Sequence, residues 1–199
     1  MNLVFATNNK NKIKEIEALL GDKIKLWGLA DINCLEELPE TMNTIEGNAS
    51  QKAQYVYTNY KANCFADDTG LEIEALGGKP GVLSARYAGM AKNSDDNRNK
   101  VLQEMRGLEN RKARFKTVIS LIMDGKEMQF EGTVNGIILE NKRGQQGFGY
   151  DPIFAPILSP SPLGEGLGER SFAEMDLAQK NKISHRALAI AKLVDYLIP

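Results

Sequence analysis

The sequence predicts an α/β protein built on a mixed, twisted sheet with helices packed against it. Three observations carry that expectation. An apolar strand pattern at the amino terminus gives way within a few residues to a helical one, and Asp124-Gly125 stands between two long β-patterned runs. Strand and helix patterns then mix without the strict alternation of a purely parallel sheet.

Each element has a local reason. NLVFA (2 to 6) reads as a buried strand, and from Lys10 the apolar positions Ile13, Ile16, Leu19 and Leu20 recur at helical spacing until Gly21. KIKLW (23 to 27) alternates as a strand. A second helix is predicted from Asn43, with Asn43 as cap, Glu46 reaching back, and Ile45, Ala49, Ala53, Val56 and Tyr60 on its inner face. NCFAD and LEIEA read as two further extended segments. After the turn-forming GGKPG (77 to 81), Ser94 is predicted to cap a helix carrying Val101, Leu102 and Met105 before Gly107. ARFKTVISLIM and KEMQFEGTV flank Asp124-Gly125, a strong hairpin signal. SHRALAIAKLVDYL closes the chain as a helix patterned on Leu188, Ala191, Val194 and Tyr196/Leu197. The stretch 157–169 (ILSPSPLGEGLGE), preceded by Pro156, is rich in proline and glycine and predicts an exposed inserted loop.

A chain of 199 residues has room for one substantial core or two lobes, so a single domain spanning 1–199 is expected. The formal charge of -1 argues against a polybasic nucleic-acid surface, and the longest apolar runs are too short for a signal core or a membrane span. A cytoplasmic protein without nucleic-acid or membrane partners is the expectation. Cys34 and Cys64 lie far apart and the chain has one histidine, which speaks against a disulfide framework or a zinc site.

Four stretches carry chemistry. In ATNNKNK, the residues Thr7, Asn8, Asn9, Lys10, Asn11 and Lys12 put amides, a hydroxyl and two lysines at a helix amino terminus, where phosphate oxygens meet N–H donors and positive charge. Simple capping by Thr7 or Asn8 would produce the same residues. Glu40, Asp67 and Asp68 suit a hard divalent cation, whose presence between the two adjacent acids would let them tolerate each other. A carboxylate beside a bound water could take its proton during attack on phosphorus. A solvated strand end explains an isolated acid pair equally well. In GFGYDPIF, glycines around Phe148 allow a flat ligand to stack, with Gly149 and Tyr150 continuing the turn and Asp151 able to accept from ring N–H groups. Core packing is the ordinary use of such a run. In KNKISHRA, Lys180, His185 and Arg186 gather donors at the entry to the final helix, where Ser184 could cap.

Taken together and in order, FATNNKNKIKEI, LPET…IEGNASQKA, FADDTGLEIEALGGKPGVLSARYAG, GFGYDPIF and SFAEMDLAQKNKISHRALA resemble the inosine/xanthosine triphosphate pyrophosphatase family over nearly the whole chain. The resemblance implies an elongated, two-lobed mixed α/β fold with the active cleft between the lobes, assembled as a homodimer. It further implies Mg²⁺-dependent cleavage of non-standard purine triphosphates (ITP, dITP, XTP) to monophosphate and pyrophosphate, with Mn²⁺ as an alternative ion. On that resemblance Asp68 is the catalytic acid, and Glu40, Asp67 and Asp68 hold the metal. Residues 7 to 12 and Lys52 take the triphosphate side, Thr69 keeps a hydroxyl for substrate binding, and Phe148 to Asp151, Lys180, His185 and Arg186 recognise the base. Two other classes compete: a phosphatase using Asp67 or Asp68 as covalent nucleophile, and a non-catalytic nucleotide sensor.

Overall fold

The computed structural model describes residues 2–20, 24–157 and 170–198. The predicted inserted loop lies almost entirely outside them. The strands are β1 (Asn2–Phe5), β2 (Lys25–Trp27), β3 (Cys64–Ile73), β4 (Pro80–Gly81), β5 (Lys112–Met123), β6 (Lys126–Ile138) and β7 (Phe154–Pro156). The helices are α1 (Lys10–Leu20), α2 (Ile45–Tyr60), α3 (Ser94–Glu104), α4 (Leu177–Ile183) and α5 (His185–Leu197). The sheet runs β2-β1-β3-β5-β6-β7, with β4 paired to β3. β1 pairs in parallel with both β2 and β3, whereas β3–β4 and β6–β7 are antiparallel, so the sheet is mixed as expected.

The chain divides into two compact units, Met1–Asp68 with Thr117–Gly132 and His185–Pro199, and Thr69–Lys116 with Thr133–Ser184. The first unit follows from strand alternation. Successive side chains point to opposite faces, so Leu3, Phe5 and Phe65 pack with Ile16 of α1 and Ile190 and Leu193 of α5. Val4, Ala6, Cys64 and Ala66 face the other way, onto Ala53 and Val56 of α2. Phe5 and Phe65 stack with centroids 4.6 Å apart. The second unit has one core, where Leu71, Ile73, Val101, Met105, Phe115, Ile138, Tyr150, Phe154 and Phe172 meet.

Several boundaries move by one residue because the competing cap has the better geometry. Asn9 rather than Thr7 or Asn8 caps α1, its Oδ1 accepting from the N–H groups of Asn11 and Lys12. Thr44, not Asn43, caps α2 by accepting from Gly47 N–H, and Asn93, not Ser94, caps α3. The two segments expected around Asp67 form one strand, β3. Asp124 and Gly125 both have positive φ, 49° and 80°, as a tight two-residue hairpin turn requires. The segment containing Lys180 forms its own short helix, α4, and Ser184 follows it in extended geometry, directly before α5. In α5 the buried stripe is Ala189, Ile190 and Leu193, while Leu188 and Tyr196 are exposed. The apolar positions of α5 fall on more than one stripe, and Gly132 on β6 favours the one that is buried. A Cβ there would stand 2.0 Å from the His185 carbonyl oxygen and 2.5 Å from Ala189 N. Among the described residues no helix is long and apolar enough to cross a membrane.

Candidate active site

β3 ends the first unit with Asp67 and Asp68, and their alternation explains how adjacent carboxylates coexist. Asp67 continues the Phe65 face, toward α1 and α5. Its Oδ1 accepts from Lys12 Nζ at 2.8 Å and its Oδ2 from Arg186 Nε at 3.3 Å. Asp68 continues the Ala66 face, toward α2, where Lys52 Nζ lies 3.7 Å from its Oδ1. The same Lys52 Nζ donates to Glu40 Oε1 at 2.5 Å. Each acid has a protein cation on its own face, Lys12 and Arg186 for Asp67 and Lys52 for Asp68.

The electrostatics follow from these partners. Burial pushes the Asp67 carboxyl up, but Lys12, Arg186 and Lys52 outweigh it and hold the group well below the usual carboxylate range. Asp68 goes the other way. Burial dominates, Lys52 and Lys12 pull down, Glu40 and Asp67 push up, and the net result is a carboxyl above its ordinary value. Lys12 is lowered by burial. Lys52 is also penalised by burial, yet Asp68, Glu40 and Asp67 together raise it. The Asp68 Oδ2 atom is buried with no hydrogen-bond partner. A buried carboxylate oxygen left without a donor is costly, so this atom marks a place for a ligand.

Arg186 is 2 % exposed and is held between Asp67 and Glu15, with Nη1 donating to Glu15 Oε2. Glu15 is a member of the site that the sequence reading missed. Its signal was available: it lies three residues after Lys12, on the same helical face, and beside the apolar stripe. His185 is buried at the start of α5. Thr7 Oγ1 accepts from Asn9 N–H at 3.2 Å, and Asn8, Lys10 and Asn11 are exposed around the first turn of α1.

The base-recognition residues expected from the resemblance divide between the units. In the second unit, Asp151 is the organiser. Its Oδ2 accepts from Phe148 N–H at 2.8 Å and from Lys180 Nζ at 2.7 Å, and both Asp151 and Lys180 are buried. Lys180 Nζ also lies 5.0 Å from the Phe148 ring centroid and 5.6 Å from that of Phe172. Gly147 has φ +71°, and a Cβ there would fall 2.1 Å from Asp151 Oδ2, so only glycine fits. Tyr150 directs its hydroxyl to the Ser84 carbonyl and its ring into the core, a structural use. Thr69 opens this unit, half-buried on β3.

Among the described residues no three His, Cys, Asp or Glu side chains converge into a preformed cage. Mg²⁺ needs none, since it commonly takes one or two carboxylates and completes its shell with waters and substrate phosphates. The partnerless Asp68 Oδ2 and the neighbouring Glu40 fit that pattern. Asp67, expected as a ligand, has both oxygens engaged by cations.

Residues 3–196 match the model of the Ham1 family. A dITP/XTP pyrophosphatase of Flavobacterium johnsoniae is 53% identical over 197 residues, covering 99% of this chain and 98% of that one. The structure of the Staphylococcus aureus Ham1 protein aligns with a TM-score of 0.84 at 36% identity, covering 99% and 98% of the two chains. A HAM1 protein from Coxiella burnetii aligns at 0.85 and 34% identity, again over 99% and 98%.

Proposed function

The chain belongs to the Ham1 family, and from that premise we propose that it hydrolyses non-standard purine nucleoside triphosphates, of the ITP, dITP and XTP kind, to the monophosphate and pyrophosphate. The observation that carries the reading is the partnerless buried oxygen of Asp68 beside the Lys52–Glu40 pair. Relatives named dITP/XTP pyrophosphatase that are matched along almost their whole length support it.

In this reading the first unit handles the phosphates. The exposed amides and lysine at the start of α1, together with Lys12 and Lys52, supply N–H donors and positive charge for the triphosphate. Asp68, raised by burial, is the general base that orients a water and takes its proton as it attacks phosphorus. Glu40 and Asp68 are the residues that would hold a divalent ion, Mg²⁺ or Mn²⁺. When bound, such an ion supplies charge neutralisation at the phosphates and a more acidic water. Asp67 contributes through charge: pinned by Lys12 and Arg186, it fixes where those two cations stand. We assign Arg186, with His185 beside it, first to this balance, and any contact with the base is additional.

The second unit handles the base. Phe148 offers a ring face for stacking, with the Lys180–Asp151 pair fixing the turn behind it and Thr69 adding a hydroxyl on β3. Donors aimed at the base there would reward the C6 carbonyl of hypoxanthine and xanthine, and would be left unpaired against the amino group of adenine. The proposal extends to a cytoplasmic protein acting on the nucleotide pool, and to a homodimer with one domain per chain. A panel of ITP, dITP, XTP, GTP and ATP assayed for pyrophosphate tests the reading. It predicts release from the first three well above the last two, and equal rates on ATP would contradict it.

A further inference from the structure

We propose that Arg98 is a positioning residue for base recognition: it holds the Gly149 carbonyl and so fixes the turn that presents Phe148. The inference rests on the reading of residues 147–151 as the base site. Arg98 stands on α3, where Nη1 donates to Gly149 O at 2.5 Å and Nη2 to Asp95 Oδ1 at 2.9 Å. Asp95 also accepts from Lys142 Nζ at 2.6 Å, and hydrogen bonds from Lys142 and then Arg98 hold its carboxyl down at about 2. Asp95 therefore stays ionised, and keeps orienting the guanidinium, throughout the range in which such an enzyme would be assayed. The Arg98 Nε is buried without a partner, so the guanidinium is anchored through its two terminal nitrogens.

The turn needs such a hold at one peptide in particular. Phe148 O accepts from Asp151 N–H, Phe148 N–H is taken by Asp151 Oδ2, and Tyr150 is tied through its hydroxyl to Ser84 and through its carbonyl to Ile153 N–H. Gly149 sits among these at φ +59°, with nothing within 4 Å of where a Cβ would stand. Neither packing nor side-chain sterics selects its conformation, and glycine interconverts between backbone wells at little cost. The bond from Arg98 does the selecting. Releasing it frees the Gly149–Tyr150 peptide, one link beyond Phe148, and with it the path of the turn that sets the angle of the ring.

The test compares Arg98→Met, Arg98→Lys and Asp95→Asn with Phe148→Ala as reference, each checked by thermal melting, using kcat and KM for ITP and ATP. Loss of one charge-assisted hydrogen bond predicts a KM for ITP raised about tenfold in Arg98→Met. The ITP preference should fall by a similar factor and kcat should hold steady, because Asp68 and its cations belong to the other unit. Arg98→Lys should recover part of the KM, and Asp95→Asn should shift it in the same direction by less. If Phe148→Ala raises KM while Arg98→Met and Asp95→Asn leave KM and preference unchanged, or lower only kcat, the Arg98 inference is overturned and the base site stands. If Phe148→Ala itself changes neither KM nor preference, the base-site reading fails and the inference falls with it. Should Arg98→Met melt early, Asp95→Asn, which keeps the Arg98 side chain, decides between the same outcomes.

Discussion

At the scale of single residues, the two neighbouring acids of β3 have opposite fates because a strand turns alternate side chains to opposite faces. Asp67 is a buried counter-ion and Asp68 a buried carboxylate with an oxygen to spare. That difference is measurable as stability. Asp67→Asn leaves Lys12 and Arg186 as buried cations without their shared partner, which predicts a loss of about 3–5 kcal/mol at neutral pH. The folded-state carboxyl of Asp67 lies below its unfolded value. Its contribution is thus fully present above the unfolded value of about 4 and disappears as pH falls through the folded one. Urea denaturation should therefore show a wide gap between wild type and Asp67→Asn at pH 7 that narrows in strong acid. A gap that is constant with pH would mean that the ion pairs are not the source. The sequence displayed both acids but could not separate them, since the facing of each depends on which helices cover the two sheet faces. Glu15 was hidden for the same reason. A lone glutamate in a charged helix reads as solvated until Arg186, more than a hundred residues away, is folded against it.

At the scale of elements, the long strands, the helices α1, α2, α3 and α5 and the Asp124-Gly125 hairpin were legible, because each is written in local periodicity and turn chemistry, whereas the short helix α4 was not. What failed was the choice among near-equivalent caps, and the rotation of α5. A cap is decided by which side chain reaches the N–H groups, and Thr44 and Asn93 reach where Asn43 and Ser94 do not. The facing of α5 is set by the close approach of β6 at Gly132, a contact that no local pattern reports. Gly132→Ala tests this. With backbone oxygen at 2.0 Å there is no flexible tip to yield, so the strand or the helix must shift. A loss at or above the usual overpacking cost of about 1–3 kcal/mol is predicted, read as a lowered melting temperature. An unchanged melting temperature would show that α5 is not held there.

At the scale of the whole molecule, the order of five weak motifs conveyed more than any of them alone, and the family match along 3–196 agrees with that order. The division of labour was not legible. Lys180, His185 and Arg186 lie within seven positions of one another in the chain, yet Lys180 serves Asp151 and Phe148 while Arg186 serves Asp67 and Glu15. Proximity in sequence groups the three, while their protein partners differ and the boundary between the two units falls between Ser184 and His185. Residues 158–168, inserted between the motifs of the second unit, are predicted to be dispensable. Trimming them should leave kcat/KM for ITP and the ITP-to-ATP preference within about twofold of wild type, a difference too small to reflect one lost hydrogen bond. A large change in preference would instead give the insertion a part in base selection.

The account as a whole depends on Asp68 acting as the base in cleavage between the α and β phosphates. Product analysis of ITP turnover by wild type and Asp68→Asn, with nucleotide binding measured alongside, tests that most directly. The predicted result is one inosine monophosphate and one pyrophosphate per ITP. In the variant, turnover should fall by about 10²-fold or more, the scale of a lost general base, while the nucleotide still binds. Release of orthophosphate by the wild type, or undiminished turnover in Asp68→Asn, would contradict it.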